Sequence, residues 1–434
     1  MDLKAVVAAE LERGRRRSLD LLAPLPDAEL VRQHSSIMSP LVWDLAHVGN
    51  YEELWLLRAV AGAPPIDATL DDLYDAFRHP RPSRPALPLL RPPEARRYIA
   101  DVRARVLDVL ERVDLDDGDR PLLAGAFVYG MVVQHEHQHD ETMLATLQLM
   151  EGDGYRPLAP PPPRGTPPSQ PEVRVPAGPF VMGTDDDPWA YDNERPAHVV
   201  DLAAFWIDTA PVTNGAYLGF VEDGGYDDRR WWTDEGWSWR QQAPDEHAHP
   251  HFWRRTGPGA WARRRFGVDE DLPLDEPVQH VCWHEAAAYA SWAGKRLPTE
   301  AEWEKSASWA PTGAGRKRRY PWGDHADPER ANLAQRHFGP APVGAYPGGA
   351  SPSGVHQLVG DVWEWTSSEF DPYPGFRSFP YREYSEAFFG SGYKVLRGGS
   401  WATAPCAART TFRNWDFPIR RQIFAGFRCA RDDA

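Results

Sequence analysis

The chain has 434 residues and a formal net charge of −15, enough length for two or three domains and a balance that argues against a nucleic-acid partner. No apolar run approaches the ~20 residues of a membrane span, and Met1-Asp2-Leu3-Lys4 lacks the apolar core and cleavage site of a secretion signal. Three cysteines (Cys282, Cys406, Cys429) show neither metal-like spacing nor a disulfide framework, so a reducing, cytoplasmic setting is expected.

Residues 1–155 have the length and periodicity of long helices. The first is expected over about 2–22. The second starts at Ser39-Pro40, a cap followed by proline at the first helical position, and runs to about Ala61. Between it and a third helix at about 94–113 lies Arg78-His79-Pro80-Arg81-Pro82-Ser83-Arg84-Pro85, too rich in proline for a helix. The fourth covers about 120–150. Four such helices predict a bundle, which places metal sites between facing helices.

Residues 156–171, with Pro160-Pro161-Pro162-Pro163, predict a stiff linker of polyproline type. From 172 to 434 short apolar segments alternate with glycine, proline and tryptophan. Helices are marked at about 284–293 and from Thr299-Glu300-Ala301-Glu302, a capping box. The remainder predicts short strands and long loops, in keeping with 19 tryptophans and 43 prolines.

The fourth helix carries His135-Glu136-His137-Gln138-His139. Positions i and i+4 share a helix face, so His135 and His139 can hold one metal ion. His137 lies roughly 200° round the helix and points elsewhere, toward solvent or a supporting contact. A bundle site needs a third ligand from a neighbouring helix. His47, in Trp43-Asp44-Leu45-Ala46-His47, is the best candidate, although a core histidine with a satisfied hydrogen bond is the alternative. His247, His249 and His251 alternate in a segment expected to be a solvated loop. The literal match to H-E-x-x-H admits a zinc peptidase with Glu136 as general base, but no further ligand follows at a suitable spacing. Three neutral imidazoles suit zinc or iron(II), and on iron they leave positions for substrates and dioxygen.

The second half resembles the formylglycine-generating enzyme (sulfatase-modifying factor) family. The resemblance rests on Val175-Pro176-Ala177-Gly178-Pro179-Phe180, Asn193-Glu194-Arg195-Pro196, Pro211-Val212-Thr213-Asn214, Leu297-Pro298-Thr299-Glu300 and Tyr320-Pro321-Trp322-Gly323. Gly360-Asp361-Val362-Trp363-Glu364-Trp365, Leu396-Arg397-Gly398-Gly399-Ser400-Trp401 and Gly426-Phe427-Arg428 extend it. It implies a C-type-lectin-like α+β domain. The cysteine pair of the formylglycine-generating enzymes is missing, since Cys406 and Cys429 are too far apart, so this copy serves another reaction. The first half resembles the DinB-like four-helix bundle, whose metal sites take one histidine from an early helix and an H-x-x-x-H pair from a later one. The combination resembles the ergothioneine-biosynthesis sulfoxide synthases across essentially the whole chain.

That resemblance implies iron(II) on His47, His135 and His139. It implies dioxygen-dependent joining of the γ-glutamylcysteine sulfur to C2 of the hercynine imidazole, with sulfoxidation. Gln138 matches a glutamine that orients the imidazole, and Arg81 and Arg84 match arginines that bind the thiol donor's carboxylates, for which guanidinium forks are suited. Asn414 would bind the hercynine carboxylate. Trp415 would face its trimethylammonium, a cation–π contact worth ~0.5–2 kcal/mol. Asp416 would pair with the ammonium of γ-glutamylcysteine. Tyr381 matches the tyrosine that delivers a proton, or a proton and an electron, during oxygen reduction, and Tyr384 is the alternative. The implied site lies where the two domains meet, and a monomer is expected. Related synthases using cysteine or a selenosugar, and a non-catalytic lectin-like binding protein, are the competing readings.

Overall fold

Asp2 caps the first helix by accepting the Lys4 amide, and the chain then coils without a break from Leu3 to Leu22. In the computed structural model, which describes residues 2–115, 117, 119–152, 154–310 and 317–433, the chain divides into two units. One comprises Met1–Arg156 with Asp187–Trp189, the other Pro157–Asp186 with Ala190–Ala434.

The first unit is helical: α1 (Leu3–Leu22), α2 (Asp27–Val31), α3 (Leu41–Glu52), α4 (Thr69–Leu73), α5 (Pro92–Arg112) and α6 (Phe127–Leu149). A π-helical stretch, Glu53–Val60, continues α3 to about the expected end. Its start differs from expectation. Pro40 is the cap residue, and the Ser39 hydroxyl accepts a hydrogen bond from Arg84 Nη1 at 2.6 Å instead. The proline-rich segment is a 3₁₀ helix over Arg81–Ala86. Pro82 at its start leaves no donor wasted, and Pro85 inside it removes one bond from a helix of only six residues.

α1, α3, α5 and α6 pack together, and α6 is buried on nearly all sides, as an apolar helix at the centre of a bundle should be. Gly49 lets α3 approach α5: a Cβ there would lie 2.6 Å from Ile99 Cγ2. Gly130 of α6 receives the Trp189 ring, where a Cβ would lie 2.4 Å from ring carbons. The Trp189 carbonyl accepts from Gln134 Nε2 at 3.0 Å and its indole N–H donates to the Gly125 carbonyl at 3.2 Å. These contacts place Asp187–Trp189 with the helices, an excursion that nothing in the sequence pattern announced.

The bundle encloses a buried ion network. Arg15 donates to Glu52 (2.6 Å) and Glu136 (2.7 Å), and Arg103 to Glu52 (2.6 Å) and Glu136 (3.0 Å). All four side chains are buried. Burial pushes the Glu136 carboxyl up, but Arg15 and Arg103 outweigh it and hold it below the ordinary range. With every charge paired, the network ties α6 to α1, α3 and α5 in one rotational setting.

The second unit holds twelve short strands among the described residues: β1 (Glu172–Val175), β2 (Gly178–Met182), β3 (His198–Leu202), β4 (Phe205–Asp208), β5 (Trp253–Gly257), β6 (Ala260–Arg265), β7 (Val268–Asp271), β8 (Trp363–Glu369), β9 (Lys394–Arg397), β10 (Asn414–Asp416), β11 (Ala425–Gly426) and β12 (Ala430–Asp432). They form four small sheets, ordered β1-β4-β12, β10-β9-β8-β11, β2-β3 and β5-β6-β7. Four helices lie between them: α7 (Asn214–Glu222), α8 (Asp234–Gln242), α9 (Trp283–Trp292) and α10 (Glu300–Ser308). The capping box at α10 forms: Thr299 Oγ1 accepts the Glu302 amide at 3.1 Å and Glu302 accepts the Thr299 amide at 2.7 Å. Trp303 anchors a core with Val175, Phe205, Ile207, Val355 and Leu358, its indole N–H donating to Glu364 at 2.8 Å. Tryptophans serve a loop-rich core well because one side chain fills much volume and still has a polar edge to satisfy.

His247, His249 and His251 are not a solvated loop. All three are half-buried. His247 stacks on Trp239 at 4.1 Å and bonds its carbonyl at 2.9 Å, and His251 packs on Phe252 at 4.0 Å. Aromatic neighbours supply the cover, Trp239 eight residues before His247 and Phe252 next to His251.

Candidate metal centre

His47 projects from α3, and His135 and His139 from α6 one helical turn apart. One ring nitrogen of each lies within 4.8 Å of the other two, and the ring centroids are 4.6–5.1 Å apart. His47 Nδ1 donates to the Tyr74 carbonyl at 2.8 Å. A carbonyl only accepts, so this fixes the proton on Nδ1 and leaves the Nε2 lone pair for a ligand. His139 Nδ1 meets Asp44 Oδ1 at 2.9 Å, which orients its ring in the same sense. Tyr51 stacks on His135 at 3.7 Å and 17°. Burial holds His47 and His135 well below the ordinary histidine range, and the neighbouring histidines add to it. These two imidazoles are therefore neutral, as ligands must be.

Asp44 is buried, and its second oxygen, Oδ2, accepts no hydrogen bond among the described residues. A buried carboxylate with an orphaned oxygen beside three clustered imidazoles fits a cation at the trio. The donor set matches zinc or iron(II). Two of the three other side chains of the motif turn away. Glu136 is held by Arg15 and Arg103 and cannot serve as a peptidase general base, so the zinc-peptidase alternative is excluded. His137 is buried rather than solvent-facing and bonds Asp140 at 3.1 Å. Gln138 is half-buried and, three residues after His135, shares its side of α6.

Arg84 is 5% exposed, far from a surface loop residue. It donates to Ser39 and to the His79 carbonyl at 2.9 Å, and its guanidinium lies 3.5 Å over the Trp43 ring. Trp43 in turn stacks on His47 at 4.5 Å. Among the described residues no carboxylate lies within ion-pair distance of Arg84. Burial lowers its pKa to about 10, with Asp44 opposing and Arg81 adding to the shift. Arg81 is half-buried and donates to the Ile37 carbonyl at 3.0 Å.

In the second unit, β10 is an edge strand paired with β9, Trp415 opposite Val395. Alternation puts Asn414 and Asp416 on one face and Trp415 on the other. Asn414 Oδ1 accepts the Trp415 amide at 2.9 Å, and Asp416 accepts the Phe417 amide at 2.8 Å with Arg420 at 3.6 Å. Trp415 stacks on Phe370 at 4.0 Å and 9°, and Tyr384 meets it edge-on at 6.0 Å. Tyr381 is half-buried and contacts Tyr384 at 6.1 Å. The structure thus gathers the histidine trio in one unit, and Tyr381, Tyr384 and Trp415 in the other.

The family model of the sulfatase-modifying factor enzyme 1-like domain matches residues 158–433, and that of the DinB superfamily residues 10–143. A hercynine oxygenase of Mycolicibacterium thermoresistibile is 54% identical over 445 residues, covering 99% of this chain and 95% of that protein. The chain belongs to the hercynine oxygenase family. The enzyme of that name from Mycobacterium tuberculosis is 52% identical over 98% of each chain. A formylglycine-generating enzyme of Streptomyces coelicolor is 35% identical over 60% of this chain and 89% of its own length.

Both resemblances drawn from the motifs hold. This hercynine oxygenase family member joins a helical DinB domain to a lectin-like domain of short strands, and its family is one of oxygenases. The motif reading missed the groups that orient the trio: Asp44, Tyr51 and the Tyr74 carbonyl. Asp44 left a signal, an acid in the apolar first turn of the helix three residues before His47. The Tyr74 carbonyl left none, because a backbone acceptor has no sequence signature.

Proposed function

We propose that the chain is an iron(II)-dependent sulfoxide synthase that joins the sulfur of γ-glutamylcysteine to C2 of the hercynine imidazole. The observation that carries this reading is the trio of clustered, oriented imidazoles on α3 and α6 in a chain of this family. In the overall change the thiol S–H and imidazole C2–H bonds break, and C–S and S–O bonds form. Dioxygen takes four electrons and ends as the sulfoxide oxygen and one water.

His47, His135 and His139 would hold the iron. Bound there, iron(II) supplies open coordination positions and one-electron chemistry toward dioxygen. Asp44 and the Tyr74 carbonyl keep two of the imidazoles in the ligating tautomer. Arg84 is a buried cation whose hydrogen bonds go to neutral acceptors, with Asp44 acting only from beyond ion-pair distance, a costly arrangement that an incoming carboxylate would relieve. With Arg81 it would take the carboxylates of the thiol donor, which favours γ-glutamylcysteine over cysteine. Gln138 would hold the hercynine imidazole, Asn414 its carboxylate, and Asp416 the ammonium of γ-glutamylcysteine. The Trp415 ring, backed by Phe370, would present an aromatic wall toward the trimethylammonium. Tyr381 would give up a proton from its hydroxyl as oxygen is reduced and regain one as the C2–H bond breaks.

The deciding experiment compares turnover of γ-glutamylcysteine and cysteine with hercynine on the iron-loaded protein. Preferential sulfoxide formation from γ-glutamylcysteine supports the reading. Preference for cysteine transfers it to a related synthase, and absence of oxygen uptake with either removes it.

A further inference from the structure

Tyr381 lies in a loop whose two ends are bonded to one side chain. Asp192 Oδ2 accepts the Phe379 amide at 3.1 Å, and Asp192 Oδ1 accepts the Ser385 hydroxyl at 2.5 Å. Ser385 Oγ also accepts from Asn193 Nδ2 at 3.0 Å. Asp192, Asn193, Glu194 and Ser385 are all buried, whereas Arg382 and Glu383 within the loop are exposed.

The same turn, Asp192–Glu194, holds the segment leading into β10. Arg413 donates to the Asn193 carbonyl at 3.0 Å. Arg409 forks onto Glu194 at 2.8 and 2.5 Å, and the Thr411 hydroxyl donates to Glu194 at 2.6 Å. Tyr191, the residue before the turn, stacks on Tyr384 at 4.1 Å and 22°. One three-residue turn is therefore bonded to the tyrosine loop on one side and, on the other, to Arg409, Thr411 and Arg413, which lead into the strand of Asn414, Trp415 and Asp416.

The arrangement is expensive. Asp192 has no cation within ion-pair distance among the described residues. Burial, with Glu194 adding to it, raises its carboxyl to about 6 against the bonds from Ser385 and the Phe379 and Asn193 amides. A neutral residue would fill the space at less cost, which points to a need for geometry.

We propose that Asp192 is a positioning residue: by gripping both ends of the 379–385 loop it fixes the Tyr381 hydroxyl relative to the Asn414–Asp416 strand. The inference rests on the role given above to Tyr381. Its consequence is a partition. A correctly placed tyrosine steers the thiol into C–S bond formation, and a displaced one leaves plain oxidation of thiol plus dioxygen to sulfinic acid, which balances without hercynine. A displacement of about 1 Å costs on the order of 100-fold in a positioned step.

The test uses the iron-loaded full chain and measures sulfoxide and sulfinic acid together for Asp192→Ala, Asp192→Asn, Ser385→Ala and Tyr381→Phe. Asp192→Ala is expected to shift the product ratio toward sulfinic acid by about tenfold or more, with Ser385→Ala and Asp192→Asn shifting it less, since each keeps one of the two bonds. KM for γ-glutamylcysteine should stay within about twofold, because Arg81 and Arg84 lie on another unit and the segment before Asp416 is held by Asn193 and Glu194, which remain. Asp192→Ala should add nothing to Tyr381→Phe in the double variant. A wild-type ratio in Asp192→Ala, with Tyr381→Phe shifted, overturns the positioning role. If Asp192→Ala does not fold, Ser385→Ala decides by the same ratio. If Tyr381→Phe itself leaves the ratio unchanged, the tyrosine reading fails instead. Amide exchange over 379–385 then tests the grip alone: lost protection in Ser385→Ala and Asp192→Asn supports it, and unchanged protection overturns it.

Discussion

Asp44→Ala removes the acceptor for His139 Nδ1 at 2.9 Å while leaving all three histidines in place. Unanchored, the His139 ring can rotate or take the other tautomer, and its basicity falls. Loss of such a supporting carboxylate costs about 10–100-fold in metal affinity, or about 1.4–2.7 kcal/mol at 1.36 kcal/mol per decade. Asp44→Asn keeps an oxygen acceptor but not the charge, so its loss should fall at or below the lower end of that range. Folding stability should hold or rise in the Asn variant, because a buried carboxylate with an orphaned Oδ2 is replaced by a neutral isostere. Anaerobic iron(II) titration against a competing chelator, with thermal unfolding of the same samples without metal, measures both quantities. Affinity within about twofold of the parent in Asp44→Ala would refute the argument that this carboxylate orients a ligand.

Three further outcomes are expected. Glu136→Ala should destabilise the bundle by about 3–5 kcal/mol, because two buried guanidiniums, Arg15 and Arg103, are left sharing the single carboxylate of Glu52; thermal unfolding checks it, and an unchanged midpoint contradicts the network's role. Arg84→Gln should raise KM for γ-glutamylcysteine by about tenfold or more, the scale of a charged hydrogen bond, and raise that for cysteine less; equal effects on both would remove Arg84 from the carboxylate site. Asp361 is fully buried and raised to about 6 by burial, against bonds from the Ala341 amide, Gln357 and Asn332. Its folded pKa exceeds the ordinary 3.8, so it contributes stability that is fully present below pH 3.8 and lost as pH rises toward 6, about 3 kcal/mol in total. Unfolding free energy of Asp361→Asn, followed from pH 4 to 6.5, should lack that downward contribution whatever its absolute value, and a parallel curve would contradict the assignment.

Features fixed by local spacing were legible in the sequence. The i, i+4 pair His135 and His139, the capping box at Thr299 and the four long helices need only short-range geometry. His47 was legible only as a candidate, because pairing α3 with α6 depends on packing across ninety residues. What stayed hidden was set by partners remote in sequence. Arg84 belongs to a proline-rich stretch that resembles surface, yet Ser39 and Trp43 bury it. His137 sits in the same motif as the trio but faces Asp140. Asp192 carried no signal at all, since its meaning comes from Phe379 and Ser385 nearly two hundred residues away.

The central claim is that iron on His47, His135 and His139 drives oxidative C–S coupling. The most direct measurement is anaerobic iron(II) loading of the parent and of His47→Ala, followed by oxygen uptake and product analysis with hercynine and γ-glutamylcysteine. The account predicts one iron per parent chain, one dioxygen consumed per sulfoxide formed, and neither iron retention nor uptake in His47→Ala. Stoichiometric iron in His47→Ala would remove that histidine from the ligand set, and sulfoxide formation by the metal-stripped parent would contradict the account.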